Sequence, residues 1–261
     1  AANHHGIVLL QESQQNRRPG LDGYRRKELH ESMSIWSQLP QERLLADFSL
    51  WSADLAALGD SVRSTEPHAD LYHIDVADAH FVPGLLFFPD LVAALRGVTE
   101  KPFHVHLMVE HPGALADAFL DAGADLITVH ADNSEAFEVL EAVRSRGKSA
   151  GVALELEADP GIVEQFLDRI SLVLMMGTPL GIKGVGMDDR APDRIGTVKG
   201  MLEKRGLTDT VKVSADGGIR EHTVPLLRSA GVDVITPGSL VFKSQDLAAT
   251  TRWLQHLPRG Y

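Results

Sequence analysis

The feature that most restricts how this chain can fold is an alternation. From Arg43 onward, short apolar runs of strand character alternate with amphipathic stretches of helical period, eight times in about 215 residues. Strands are expected at 43–51, 71–76, 101–109, 126–131, 148–156, 171–176, 211–215 and 233–236. Helices are expected at 52–65, 88–98, 112–122, 134–146, 159–169, 193–204, 221–230 and 246–257. Local signals agree: Ser52 suits an N-cap, Pro89 a first helical turn, and Gly123, Gly147 and Gly231 follow helices as stops. Strands that alternate with helices pair in parallel through right-handed crossovers. Eight such units favour a closed (β/α)8 barrel, the TIM-barrel class of α/β fold, over an open doubly wound sheet. The open sheet loses further ground because no Gly-x-Gly-x-x-Gly follows the first strand.

The first 42 residues differ from the rest. They hold an apolar patch without sustained period and a turn or linker at Arg17-Arg18-Pro19-Gly20, with room for a helix over 21–39. The expected division is an N-terminal extension or tail at 1–42 and a barrel catalytic domain at 43–261. His4 and His5 read as solvated tail residues. The tail lacks the long apolar core of a secretory signal, so a cytoplasmic protein is expected.

Composition narrows the partners. With 25 Lys and Arg against 36 Asp and Glu, the formal net charge is −11, which argues against nucleic acid and anionic membranes. No apolar run reaches the length of a membrane span. There is no cysteine, so disulfides, thiol nucleophiles and thiolate metal ligands are excluded together. A metal would have to sit on imidazole and carboxylate, and the 12 histidines permit it.

In a parallel barrel the reactive groups belong at the C-terminal strand ends. The polar residues fall there. Ser49 ends the first strand, His73 and Asp75 project together from the second, and His104 and His106 share a face of the third. His130 ends the fourth strand and Glu155 lies on the fifth. The seventh runs into Asp216-Gly217-Gly218, the eighth into Gly238-Ser239. His73, Asp75, His106 and Asp216 can converge on the barrel axis, and two imidazoles with two carboxylates suit one divalent Zn, Mn, Fe or Co per subunit. Of His104 and His106, one is a ligand and the other a supporting residue. His130 is expected to be a mouth histidine held by a hydrogen bond.

Glycine is the second signal. Gly-containing loops follow the last three strands, at Gly181-Ile182-Lys183-Gly184-Val185-Gly186, Gly217-Gly218 and Gly238-Ser239. Barrels commonly take phosphate in the loops after strands seven and eight, through backbone N–H groups that glycine lets come close. Lys183 and Arg220 would add the local positive charge that an acidic protein needs to hold a dianion.

These motifs, in this order, resemble the ribulose-phosphate 3-epimerases. The matching segments are Ser49-Leu50-Trp51-Ser52-Ala53-Asp54, His73-Ile74-Asp75 through His80-Phe81-Val82-Pro83, His106-Leu107-Met108-Val109, Asp216-Gly217-Gly218-Ile219 and Gly238-Ser239. The resemblance implies a metal held by His73, Asp75, His106 and Asp216, with Asp75 and Asp216 also the acid/base pair. It implies that Ser49 and His106 contact substrate and that Met108 walls the site. Gly217, Gly218, Gly238 and Ser239 would take the phosphate, with Lys183 and Gly184 contributing from the preceding loop. The implied reaction inverts C3 of a ketose phosphate through an enediolate, one carboxylate working on each face. The resemblance also implies a homo-oligomer.

The departures point to altered substrate shape. Ala77-Asp78-Ala79 stands where the family usually has Met-Asp-Gly, His104 where an Asp is usual, and Glu155-Leu156 where Asn-Pro is usual. The loop Pro179-Leu180-Gly181-Ile182-Lys183-Gly184-Val185 replaces Pro-Gly-Phe-Gly-Gly-Gln. A ketose phosphate other than, or besides, ribulose 5-phosphate is therefore expected, with Glu155 reading an extra hydroxyl. An isomerase or decarboxylase working through a similar enediolate, and a non-catalytic barrel, remain the alternatives.

Overall fold

The computed structural model describes residues 34–258. Eight parallel strands form the barrel: β1 (Leu45–Ser49), β2 (Leu71–Asp78), β3 (Phe103–Met108), β4 (Leu126–His130), β5 (Ser149–Leu154), β6 (Leu172–Met176), β7 (Lys212–Asp216) and β8 (Val234–Thr236). Each strand pairs with the next. The sheet closes where β1 pairs with β8 at Leu45↔Val234 and with β2 at Asp47↔Leu71 and Ser49↔His73. A two-residue strand, Leu85–Leu86, folds back antiparallel on the end of β2. Helices cover the outside, and the closed barrel that the alternation predicts is the observed fold.

Strand period decides what faces inward. Phe48, Tyr72, Ile74, Phe103, Val105, Ile127 and Val173 point outward and join the main core beneath the helices. Their immediate neighbours along each strand point at the axis. At the N-terminal end of the barrel these are Leu45, Leu71, Leu126, Leu172 and Val234, closed off by Ile35 and Trp36 of the 3-10 turn Ile35–Gln38. Trp36 is almost wholly buried, its Nε1 donates to the Ser171 carbonyl at 2.8 Å, and the Ile35 N–H donates to Ser149 Oγ at 3.2 Å. Further up the axis the inward positions become polar, and that change of layer creates the site.

Helix boundaries follow local chemistry. Pro89 occupies the first turn of Pro89–Arg96, where its missing N–H has no intrahelical partner to lose. The segment 52–65 differs from expectation: it breaks into the 3-10 turns Leu50–Ser52 and Leu55–Ala57 before the helix Leu58–Thr65. Asp54, not Ser52, supplies the cap, accepting from the Ala56 N–H at 3.0 Å. The segment 159–169 shortens to the 3-10 turn Pro160–Gln165, started by Asp159 accepting from the Gly161 N–H at 2.8 Å. A short helix, Ser239–Phe242, follows Gly238. His4, His5, the linker at 17–20 and most of the helix expected over 21–39 lie outside the described residues. No described helix is long and apolar enough to cross a membrane.

Candidate active site

Three strands build the centre of the site. His73 and Asp75 stand two apart on β2, His106 lies opposite Asp75 in register on β3, and Asp216 ends β7. One donor atom from each of these four lies within 4.8 Å of the others. His73 Nε2 is 3.0 Å from Asp75 Oδ1 and 3.8 Å from Asp216 Oδ2, and His106 Nδ1 is 3.4 Å from Asp75 Oδ1. The Ser49 hydroxyl, on β1, donates to Asp75 Oδ2 at 3.1 Å. Two imidazoles and two carboxylates, aimed at one point inside a closed barrel, form a group that could hold a divalent cation.

The electrostatics fit such an ion. Burial works to raise the Asp75 carboxyl, but the His73 charge and hydrogen bonds from His106 and His73 outweigh it and hold it below the usual carboxylate range. Asp216 goes the other way: burial first, then the charge of Asp75, push its carboxyl up to about 7 against the pull of His73 and of the Gly217 N–H. Burial would make His73 neutral, yet Asp75 and Asp47 hold its pKa well above that of a free imidazole. His106 and His130 are held neutral by burial.

Behind these groups lie residues that explain their orientation. Asp47 on β1 accepts from His104 Nδ1 at 2.6 Å and from His73 Nδ1 at 3.2 Å. His104 is not a member of the four-donor group and instead forms a buried trio with Asp47 and His73. Burial lowers its pKa to about 4, so it meets Asp47 as a neutral ring. His130 backs His106: their Nε2 atoms are 3.0 Å apart and their rings stack with centroids at 5.1 Å. One proton serves that contact. With His106 Nδ1 donating to Asp75, its Nε2 accepts the His130 Nε2 proton, which leaves His130 with a bare Nδ1. That Nδ1 is buried without a hydrogen bond, and the nearest carboxylate oxygen, Glu155 Oε1, is 3.6 Å away. Glu155, expected to read a substrate hydroxyl, thus stands behind His130 and outside the cavity wall.

The cavity has a volume of about 380 Å³. Ser49, Asp75, Met108 and Asp216 line its floor; Gly217, Gly218, Gly238 and Ser239 line one side; Lys183 and Gly184 reach over from the loop after β6. Gly217 (φ +89°) and Gly218 (φ +70°) have left-handed backbones. A Cβ on Gly217 would strike the Thr178 hydroxyl, and one on Gly218 would come within 2.6 Å of the Met187 backbone. Lys183 donates to the Trp51 carbonyl and lies 4.6 Å over the Trp51 ring, while Arg220 and Lys243 bring two more cations to the same cavity. Asp47, Trp51, Met176 and Lys243 were not singled out from the sequence. An acid inside the apolar run 44–50 was the available signal for Asp47; nothing in spacing marks the others.

The model of the Ribulose-phosphate 3 epimerase family matches residues 45–242. The chain is 36% identical to the ribulose-phosphate 3-epimerase of Bacillus subtilis over 200 residues, covering 76% of this chain and 92% of that protein. It is 37% identical to the enzyme of the same name from Treponema pallidum, covering 74% and 89%. Among solved structures it resembles 3-keto-L-gulonate-6-phosphate decarboxylase from Vibrio cholerae, with a TM-score of 0.62, 14% identity and coverage of 81% and 97%. Orotidine 5'-phosphate decarboxylase from Pyrococcus horikoshii is also similar, at a TM-score of 0.59, 14% identity and coverage of 83% and 100%. At that identity the two decarboxylases share its fold and nothing finer. The match along the barrel and the identity to named epimerases place the chain in the ribulose-phosphate 3-epimerase family, a family of isomerases.

Proposed function

We propose that the protein inverts C3 of a ketose phosphate, interconverting ribulose 5-phosphate and xylulose 5-phosphate or a closely related pair. One divalent cation would be held by His73, Asp75, His106 and Asp216. The carrying observation is the meeting of those four donor atoms within 4.8 Å in a family of epimerases. When bound, the cation supplies positive charge opposite a developing enediolate and so makes the proton beside the ketone easier to remove.

The residues do the rest. Asp75 is charged, with Oδ2 fixed by the Ser49 hydroxyl, and is set to take the C3 proton from one face. Asp216 holds a proton near neutrality and is set to return one from the other face. In the reverse direction the two exchange roles, so no net proton is gained or lost. Met108 and Met176 present apolar surface to the reacting carbons and exclude water. Gly217, Gly218, Gly238 and Ser239 offer close backbone approach to the phosphate, and Lys183, Arg220 and Lys243 offset its charge.

The loop over the cavity bears on which sugar fits. Leu180 packs on Val82 and Met108, and a Cβ on Gly181 would come within 2.9 Å of the Val82 side chain. The 179–185 loop is thus seated on Val82, in the segment that directly follows the departure at 77–79. A panel of pentulose and hexulose phosphates incubated in D2O tests both activity and choice. C3 inversion with deuterium at C3 alone and no carbon loss is expected. Isomerisation to an aldose, or decarboxylation, would refute C3 epimerisation. Preference for ribulose 5-phosphate above about a hundredfold, some 2.7 kcal/mol, would refute altered specificity.

A further inference from the structure

We propose that Asp47 is the residue that positions His73 for metal ligation, from a strand that carries no ligand of its own. This rests on the four-donor centre proposed above. His73 has two ring nitrogens with different neighbours. Nε2 faces the four-donor centre, 3.0 Å from Asp75 and 3.8 Å from Asp216. Nδ1 faces away from it, 3.2 Å from Asp47 Oδ2. An imidazole that ligates through Nε2 keeps its proton on Nδ1 and needs an acceptor there. Asp47 Oδ2 is that acceptor.

His104 braces the carboxylate. Its Nε2 is 2.8 Å from the Thr128 hydroxyl and its Nδ1 is 2.6 Å from the same Asp47 oxygen. The hydroxyl donates to Nε2, which leaves the His104 proton on Nδ1, pointing at Asp47. Two N–H groups thus converge on one oxygen, and the two rings meet edge to face with centroids 4.6 Å apart. Asp47, His73, His104 and Thr128 come from four consecutive strands, and each is essentially inaccessible to solvent. The second Asp47 oxygen, Oδ1, has no hydrogen-bond partner among the described residues. A charge in so dry a place is costly unless it serves the groups it touches, and those groups are the two imidazoles.

The geometry also names a rescue. In Asp, as in His, the first polar atom is bonded to Cγ. His104→Asp therefore places a carboxylate oxygen near the present position of His104 Nδ1, which lies 3.2 Å from His73 Nδ1. A carboxylate supplied from β3 can replace the one supplied from β1.

The test compares wild type, D47N and D47A/H104D by Co²⁺ stoichiometry, chelator-competition affinity and the visible absorption of bound Co²⁺, with circular dichroism to verify folding. The wild type is expected to bind one ion. D47N is expected to bind about 10–100-fold more weakly with an altered spectrum. D47A/H104D is expected to return to within about threefold of wild type. Wild-type affinity and spectrum in D47N would overturn the proposal and leave the four-donor centre standing. A folded D47A/H104D no tighter than D47N would also overturn it, since position and not merely packing is at issue. A second equivalent of Co²⁺ in the wild type, lost in D47N, would overturn it by making Asp47, His73 and His104 ligands themselves. No Co²⁺ binding by the wild type would overturn the four-donor centre, and this proposal with it.

Discussion

Asp75 and Asp216 bring carboxylate oxygens within 4.8 Å of each other and hold their protons oppositely. Asp75 receives hydrogen bonds from two imidazoles and from Ser49, so its charge is stabilised. Asp216 meets that charge from β7 and stays protonated until about neutrality. Two like carboxylates this close cannot both ionise freely without a cation between them.

Metal uptake should therefore be proton-linked. In the metal-free protein, Asp216 and His73 both have raised pKa values, so both bind protons that a cation must displace. A raised pKa means the proton competes more strongly as pH falls. Apparent Co²⁺ affinity should drop below pH 7 by about tenfold per pH unit for each proton released. D216N should remove one of the two protons and flatten the slope. Affinities measured by chelator competition at several pH values between 5.5 and 7.5 decide the matter, and a flat profile counts against it.

Much of this was readable before any coordinates. The inward positions of a strand recur every second residue, so His73 with Asp75 and His104 with His106 were visible as shared faces. The glycine pairs after the last strands were visible as well. What stayed hidden depends on contacts between strands far apart in sequence. His104 stood out where a carboxylate is usual, but its counterpart Asp47 read as one acid in an apolar strand, and only closure of β1 against β2 joins them. Glu155 falls just past the end of β5 with its carboxylate 3.6 Å from His130 Nδ1, a neighbour on another strand that spacing does not show. Ser52 and Asp54 are both capable caps two residues apart, and the chain uses the one that begins the 3-10 turn. The helix Ser239–Phe242 is too short to display a period.

Ala79 offers a stability test. It is the one non-glycine residue with positive φ among those described, at +62°, on an exposed tip after β2. Asp78 holds that tip, accepting from the N–H groups of His80 at 2.9 Å, Phe81 at 2.8 Å and Glu110 at 2.7 Å. A left-handed alanine costs about 1–2 kcal/mol, while glycine adds about 0.4–1 kcal/mol of unfolded-state entropy. Ala79→Gly should thus stabilise the protein by about 0.5–1 kcal/mol, read as a higher urea midpoint at unchanged slope. A lower midpoint would show that the loop is not strained there.

Trp36 should matter for folding and not for chemistry. It caps the N-terminal end of the barrel against Leu71, Leu126 and Leu172, while the site lies at the opposite end of the strands. Trp36→Ala should cost about 3–5 kcal/mol. Trp36→Phe should cost about 1–3 kcal/mol, since it leaves the Ser171 carbonyl without its indole donor. In both variants the folded fraction should bind Co²⁺ as the wild type does. A changed affinity at equal folding would mean that the two ends of the barrel are coupled.

Lys183 should act on binding and leave the proton transfers alone. Its ammonium lies over the Trp51 ring and donates to the Trp51 carbonyl, which pins the 179–185 loop over the cavity. Burial lowers its pKa and the Asp75 charge raises it, so it carries its charge into a partly desolvated space that faces the acid/base pair. A charge-assisted hydrogen bond to a phosphate is worth about 1.5–3 kcal/mol, or roughly 10–100-fold in affinity. Lys183→Met keeps the stem on the indole and removes the charge. It should raise KM for a ketose phosphate by about tenfold or more and leave kcat within about threefold, because uniform binding is lost while Asp75 and Asp216 are untouched. Salt should weaken the wild type more than the variant. A drop in kcat with unchanged KM would instead assign the loop to closure over the reacting carbons.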